Sequence, residues 1–544
     1  MTVKKATLLL VMGVAFFVSC TGNSGSSEGA AASDEWADRT REWGLDFVHE
    51  TGGRGEFHLA EIMGGGVALF DADGDGDQDL LLANGNLDPA GGEARGDGPR
   101  NAFYRNDDGS FVEATKSSGL GDPGYGMGLA IGDVDNDDDL DVYVANFGLD
   151  RLYLNDGRGV FTDATSTAGL SVGGWSASST FLDYDGDGWL DLFVTGYVRY
   201  QPGKRCTDAA GRDDYCGPSV FAPQPDTLLH NRGDGRFTDV TVASGISRGI
   251  GRGLGVVTFD ANDDHRPDIY VANDGDPNHL WIQREDGRFV DEALLHGLAY
   301  NLAGETEAGM GVLAEDLDGD GELDLFVTHL TEESNTLYVR GETAFSDRSA
   351  ESGLGAGSMP FTGFGVAAID LELDGDLDLV VVNGRVSGGF DGHDGGSDWE
   401  RFSEPNSVFR NLGGGRFEAV TWPSRGISRG IAVADLDGDG DEDWVVTNLQ
   451  APAQLWINEA AAPGHWLAVA TPGETGAVVL LDAGGRRRIR RIDPAGSYLS
   501  SGEPVARFGL GDITAVDGLW IRRADGTEQQ ISVDGVDRIV SVVP

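Results

Sequence analysis

Apolar and polar positions alternate along this chain in short blocks. Glycine-bounded apolar segments such as "GGGVALF", "GMGLAIG", "GMGVLAE" and "GFGVAAI" each lead into a run of acids. A second apolar run follows, such as "LLLANG", "VYVANFG", "LFVTGY" or "IYVANDG". Runs of four to six β-branched, aromatic and leucine residues between glycines predict short strands that are apolar on both faces. A third segment, as in "RLYLNDG", and a fourth after a turn, as in "GVFTDAT", "GRFTDVT", "GSFVEAT", "TAFSDRS" or "GRFEAVT", complete a four-stranded unit. The acidic stretch falls in the hairpin between the first and second strands.

The unit recurs. Its acidic segment begins at Asp71, Asp133, Asp183, Asp260, Asp316, Asp370 and Asp435, at intervals of 62, 50, 77, 56, 54 and 65 residues. Four-stranded antiparallel units repeated about an axis are propeller blades. The seventh unit has three strands, "RGIAVAD", "DWVVTNL" and "AQLWINE", but lacks a fourth. An unmatched fourth strand lies at the other end, where "EWADRTREWGL" parallels "VFTDATSTAGL". The expectation is an all-β chain: a seven-bladed propeller over residues 35–460, its last blade completed by residues 35–40, then a small β-rich domain over 461–544.

Within each nine-residue loop, acids or amides fall at positions 1, 3, 5 and 9, and position 7 varies. The candidate ligands are Asp71, Asp73, Asp75, Asp77 and Asp79 in the first loop, and Asp133, Asp135, Asp137, Asp139 and Asp141 in the second. The third has Asp183, Asp185, Asp187, Trp189 and Asp191; the fourth has Asp260, Asn262, Asp264, Arg266 and Asp268. The fifth has Asp316, Asp318, Asp320, Glu322 and Asp324; the sixth has Asp370, Glu372, Asp374, Asp376 and Asp378. Asp435, Asp437, Asp439, Asp441 and Asp443 make up the seventh. A variable seventh residue suits a ligand that is a backbone carbonyl, and glycine at position 6 suits a sharp turn. Oxygen donors at this spacing suit Ca²⁺, with up to seven ions; Mg²⁺ keeps its waters and demands stricter octahedral geometry. Zinc calls for histidine or thiolate, which the ligand positions lack. An EF-hand is excluded, because position 12 is Leu82, Val144, Val194, Val271, Val327, Val381 or Val446 and belongs to the next strand. The fourth loop, with Asn262 and Pro267, and the second, with Asp138 at position 6, are the weaker candidates.

These loops, with "SFVEAT", "GVFTDAT" and "GDVDNDDDLDVYVAN", resemble the calcium hairpins of FG-GAP/VCBS repeats, the blades of integrin alpha-chain propellers. "GSYLSSGEPVARFGLGD" resembles the signature of the ASPIC/UnbV domain. "YCGP" and "EIMGGGVALFD" are similar to bacterial relatives of the cartilage acidic protein family. The resemblance implies a calcium-bound propeller with an ASPIC/UnbV domain. This chain departs from it at "RRADG", where a "WPDG"-like turn is usual, and in a short approach to "GAVVLL".

Charge narrows the partners. A net charge of -52 opposes binding to nucleic acid or to anionic lipid. At the start, Lys4 and Lys5 precede an apolar run from Ala6 to Val18. The run is shorter than the roughly 20 residues of a membrane span and reads as a secretory signal. "FVSC" resembles the lipobox of bacterial lipoproteins, with Phe17 where leucine is usual. That implies a signal over residues 1–19, a lipidated Cys20, a tether over 20–34, and a location at the bacterial cell envelope, surface-exposed or periplasm-facing. The membrane contact is through that anchor alone. Cys206 and Cys216 in an exported chain suggest a disulfide, with a two-residue metal site the poorer alternative.

Three further segments are candidates for contact. "RRRIRR", residues 486–491, is expected to be a solvated edge that discourages sheet pairing. Binding of an anion or polysaccharide, or docking against the acidic propeller, is the alternative. The insertion over residues 196–226 offers Tyr197, Tyr200, Tyr215 and Phe221 as a specific surface, and residues 384–406 offer Phe390, His393, Trp399 and Phe402. The favoured function is a non-catalytic, calcium-stabilised binding or adhesion scaffold for a protein or polysaccharide at the cell surface. A propeller enzyme acting on polysaccharide and an accessory subunit of envelope assembly are the alternatives. The nine histidines are scattered, and the chain carries no HExxH, GxSxG or Walker sequence.

Overall fold

The computed structural model describes residues 36–91, 98–208, 210–388, 399–459, 464–471, 473–524 and 526–542. The expected signal, Cys20 and tether lie outside these residues, as do Phe390 and His393.

The strands form seven four-stranded antiparallel meanders. In the first blade Val67–Phe70, Asp79–Leu82, Ala102–Asn106 and Phe111–Glu113 pair in chain order. The first strands of the others are Tyr125–Gly132, Gly173–Leu182, Gly253–Phe259, Val312–Glu315, Gly363–Ile369 and Ser428–Ala434. These first strands lie side by side in sequence order, and Ser428–Ala434 returns beside Val67–Phe70, so the ring is closed. Trp36–Asp38 is the outer strand of the seventh blade, with Trp36 opposite Asn458 and Asp38 opposite Trp456. The two ends of the propeller segment are thereby hydrogen-bonded in one sheet.

The glycines before each acidic loop have a steric reason. A Cβ on Gly128 would sit 2.2 Å from the Ala177 carbonyl, and one on Gly311 would sit 2.1 Å from that of Phe364. The inner strands approach too closely there for any side chain. Farther out, strands bury both faces between neighbouring blades, as where Leu69, Leu80 and Leu82 pack with Ala432, Val445 and Leu455.

Two sheets make the C-terminal domain. One orders Val505–Gly511, His465–Ala470 and Arg538–Ser541; the other orders Arg486–Ile492, Ala477–Ala483, Gly518–Arg522 and Glu528–Ile531. Leu467, Val479, Leu481, Phe508 and Ile521 lie in its core. Residues 497–501 leave this domain and enter the propeller channel. Ser497 exchanges backbone hydrogen bonds with Val312, and its hydroxyl accepts from the Val366 N–H at 3.0 Å. The Leu129 N–H donates to the Leu499 carbonyl at 3.1 Å, and Ser501 pairs with Ala68. One short loop thus bonds to the inner strands of blades 1, 2, 5 and 6. Tyr498 is fully buried among Met63, Met127, Trp175, Met310 and Phe364.

Two sequence expectations are corrected. The arginine run forms an edge strand, but the propeller covers it: Arg488, Arg490 and Arg491 are buried. Arg486 Nη1 lies 2.6 Å from Asp376 Oδ1, so the strand docks on the acidic loops, the alternative reading of this run, instead of facing water. The insertion aromatics are likewise not a free surface. Tyr197, Tyr215, Phe221 and Phe402 are buried, and Tyr200 and Trp399 pack against them, because these segments cap the apolar channel. Cys206 and Cys216 form a disulfide within that cap, with Cα atoms 5.1 Å apart.

Candidate functional site

Backbone amides build every acidic loop in the same way. The position-9 aspartate accepts from the N–H of position 2 through one carboxylate oxygen, as Asp79 does from Ala72 at 3.1 Å, and this holds in all seven loops. Its other oxygen accepts from the end of the third strand, as Asp79 does from Asn106 at 2.8 Å, again in all seven. The position-1 aspartate accepts from the N–H of position 6 throughout. Positions 4 and 6 have positive φ in every loop, including the non-glycine Leu373, at +55°, and His265, at +61°. The backbone is therefore invariant where the sequence is not. Positions 1 and 9 tie the hairpin together, and the acids at positions 3 and 5 complete the cluster.

The carboxylates converge. Asp71, Asp73 and Asp79, Asp133, Asp135 and Asp141, Asp183, Asp185 and Asp191, and Asp316, Asp318 and Asp320 each bring one oxygen per residue within 4.8 Å of the others. Burial, and after it the repulsion of neighbouring acids, pushes Asp79 up to about 7, Asp141 up to about 8 and Asp441 up to about 10. One carboxylate oxygen each of Asp73, Asp135 and Asp441 is buried with no hydrogen-bond partner. Crowded, partly unsatisfied oxygens of this kind fit a hard divalent cation, which would satisfy them and remove the cost of gathering like charges.

The loops are not equivalent. Among the described residues, no arginine forms an ion pair with an acid of the first three. In the fourth, the Arg266 guanidinium folds onto Asp264 and Arg340 reaches Asp263 at 2.9 Å. In the sixth, Arg410 pairs with Glu372 and Arg486 with Asp376. In the seventh, Arg507 Nη1 lies 3.2 Å from Asp435 Oδ2. In the fifth, Arg340 Nε lies 3.7 Å from Glu322 Oε2. These arginines supply part of the positive charge a cation would bring, so loops 1, 2 and 3 are the ones that no arginine enters among the described residues. In the third loop Trp189 lies across Gly233, leaving only its backbone carbonyl as a ligand.

Sequence reasoning missed one residue here. His230, on the third strand Thr227–Asn231 of blade 3, places Nδ1 3.1 Å from Asp191 Oδ1 and 3.3 Å from Asp185 Oδ2. It lies far from the loop in sequence. Only its place just before Asn231, at the end of the third strand, could have pointed to it.

Blades bearing acidic hairpins around a closed ring, with a β domain inserted into the channel, define a repeat propeller of the FG-GAP type. The FG-GAP-like repeat family matches residues 71–144, 133–194, 260–327 and 316–381, and the ASPIC and UnbV family matches residues 471–544. Cartilage acidic protein 1 of Homo sapiens is 27% identical over 342 residues, covering 58% of this chain and 49% of that protein. The Mus musculus protein is 26% identical over 347 residues, covering 58% and 50%. The chain spans about half the length of the curated relatives it matches. It belongs to the family of FG-GAP-repeat proteins with an ASPIC/UnbV domain, to which cartilage acidic protein 1 is related in the same way. Among solved structures, an Agrocybe aegerita lectin that recognises non-reducing terminal N-acetylglucosamine matches at 16% identity and TM-score 0.37, over 66% of this chain and 88% of the lectin. Rhamnogalacturonan lyase YesW matches at 16% identity and TM-score 0.36, over 74% of this chain and 72% of the lyase.

Proposed function

We propose that the protein is an exported, non-catalytic binding scaffold whose propeller is stabilised by calcium, held at a cell envelope through Cys20, and engaged with a protein or polysaccharide outside the cell. The observation that carries this reading is one backbone scaffold repeated in seven acidic loops, with carboxylates brought together in the first, second, third and fifth. A cation bound by the folded loops and not by the unfolded chain stabilises the fold by mass action. Residues at positions 1, 3, 5 and 9 would hold it, with the position-7 carbonyl.

The channel supports a scaffold over an enzyme that works there. It is filled by apolar side chains from the blades, the cap and Tyr498. A cavity of about 90 Å³ remains there beside Met63, Tyr197, Met310 and Phe364, and a larger groove of about 850 Å³ lies between blades 3 and 4 and the C-terminal domain. Sites between domains are common ligand positions. The test is a glycan and envelope-protein binding screen in calcium and in chelator. Calcium-dependent binding that is lost on substituting Arg523 or Glu285 in the groove supports the reading. Turnover of a polysaccharide by the purified protein would overturn it.

A further inference from the structure

In the third loop a histidine from another strand joins the acids, whereas in the fourth His265 of the loop itself lies 3.6 Å from Asp260. His230 occupies the strand position immediately before Asn231. The same register holds Arg105, Leu154, Ile282, Val339, Arg410 and Ile457 in the other blades. Arg410 at this position reaches the position-3 acid Glu372, while Arg105 in the first blade pairs with Asp107. In blades 3 and 6 the side chain at this register reaches the loop, and in blade 3 it is an imidazole. Asp185, Asp187 and His230 each bring one ligand atom within 4.8 Å of the others.

We propose that Asp185, Asp187 and His230 form a metal centre for a borderline transition-metal cation, of the class of Mn²⁺, Co²⁺ and Zn²⁺, in preference to Ca²⁺. This rests on the reading that the loops hold cations, and it assigns one loop a different ion. Calcium takes oxygen ligands at about 2.3–2.6 Å and gains little from an imidazole. Imidazole suits zinc and its neighbours, and two donors on a tetrahedral ion with bonds of about 2.0–2.1 Å lie roughly 3.3 Å apart. The separation of His230 Nδ1 from Asp185 Oδ2 is 3.3 Å, and the same nitrogen hydrogen-bonds Asp191 Oδ1 at 3.1 Å, a bond that an ion would replace. The Tyr184 ring stands edge-on to the imidazole, with centroids 6.0 Å apart.

The centre is not closed. Asp185 and Asp187 are exposed and His230 is half-buried. Asp183, Tyr184 and Asp185 line the groove of about 850 Å³, opposite Glu474 and Arg523 of the C-terminal domain. Of the three ligands only Asp185 lines that groove, and three protein ligands leave coordination positions that water would complete.

The test uses the full chain stripped of metal and titrated with Co²⁺, read by its visible absorption, with Ca²⁺ stabilisation followed separately as the shift in melting temperature. The expected result is one tight Co²⁺ site, displaced by stoichiometric Zn²⁺ and not by a tenfold excess of Ca²⁺. His230→Gln should weaken Co²⁺ at least tenfold while the Ca²⁺-dependent shift persists. Pulsed electron paramagnetic resonance of Mn²⁺ on the unsubstituted protein should show nitrogen coupling from a bound imidazole, a readout that does not depend on the variant folding. No Co²⁺ site, a Co²⁺ site indifferent to His230→Gln, or Mn²⁺ without nitrogen coupling would overturn this centre. Loss of every Ca²⁺ response would instead count against the loops as cation sites generally.

Discussion

The Tyr498 hydroxyl donates to the Met63 carbonyl at 3.1 Å, so a side chain of the C-terminal domain reaches the short helix Ala60–Met63 through the propeller channel. The domain is therefore part of the propeller's core, and the blades surround a side chain supplied from outside the repeat.

Tyr498→Ala should open a cavity among Met63, Met310 and Phe364 and cost about 3–5 kcal/mol. Tyr498→Phe, which removes only the hydroxyl, should cost about 1 kcal/mol. Denaturant unfolding of the two variants checks this. Equal, small effects would mean that the channel does not depend on the inserted loop.

Within one loop, positions 9 and 5 should behave differently without metal. Asp141 is buried and accepts the Val134 and Asn155 amides at 3.0 and 2.8 Å. Asp141→Ala leaves both donors unsatisfied and should cost roughly 2–4 kcal/mol in chelator. Asp137→Ala should cost less than about 1 kcal/mol in chelator, because Asp137 is exposed. In calcium, both should also lower the loop's metal affinity.

Asp226 makes the fold sensitive to pH. Its buried carboxylate accepts the Gly196 amide at 3.0 Å, at a position where Asn101, Asn278, Asn335 and Asn406 make the equivalent bond in other blades. Burial pushes Asp226 up to about 7. A carboxyl that holds its proton more tightly when folded favours the folded state most at low pH. That favourable contribution is lost as pH rises from the ordinary carboxylate range through about 7. Asp226→Asn should therefore be close to neutral near pH 4 and stabilising above about pH 8, on the order of 1–3 kcal/mol. Melting temperatures of both proteins across that range decide it; an equal loss at every pH would show that the carboxylate is not the strained group.

The blades were legible because their signals are local. Each loop carries its aspartates within nine residues, each strand is a short apolar run, and the spare "EWADRT" strand matches a visible gap in the seventh repeat. Contacts set by tertiary structure were not legible. Tyr197, Tyr215 and Phe402 sit in polar insertions that look exposed in sequence, yet they cap an apolar channel. Arg486, Arg488 and Arg490 share one strand face, as alternation requires. That alternation carries no sign that Asp376 and its neighbouring loops lie opposite. His230 is separated from Asp191 by the whole inserted cap and joins it only through strand pairing.

Thermal unfolding of the metal-stripped protein, with Ca²⁺ titrated back to millimolar concentration beside a Mg²⁺ control, tests the central claim most directly. The account expects a large calcium-specific rise in melting temperature, with several ions bound per chain. An unchanged melting temperature with no bound metal would contradict it, and the seven aspartate clusters would then be solvated turns held by their backbone amides alone.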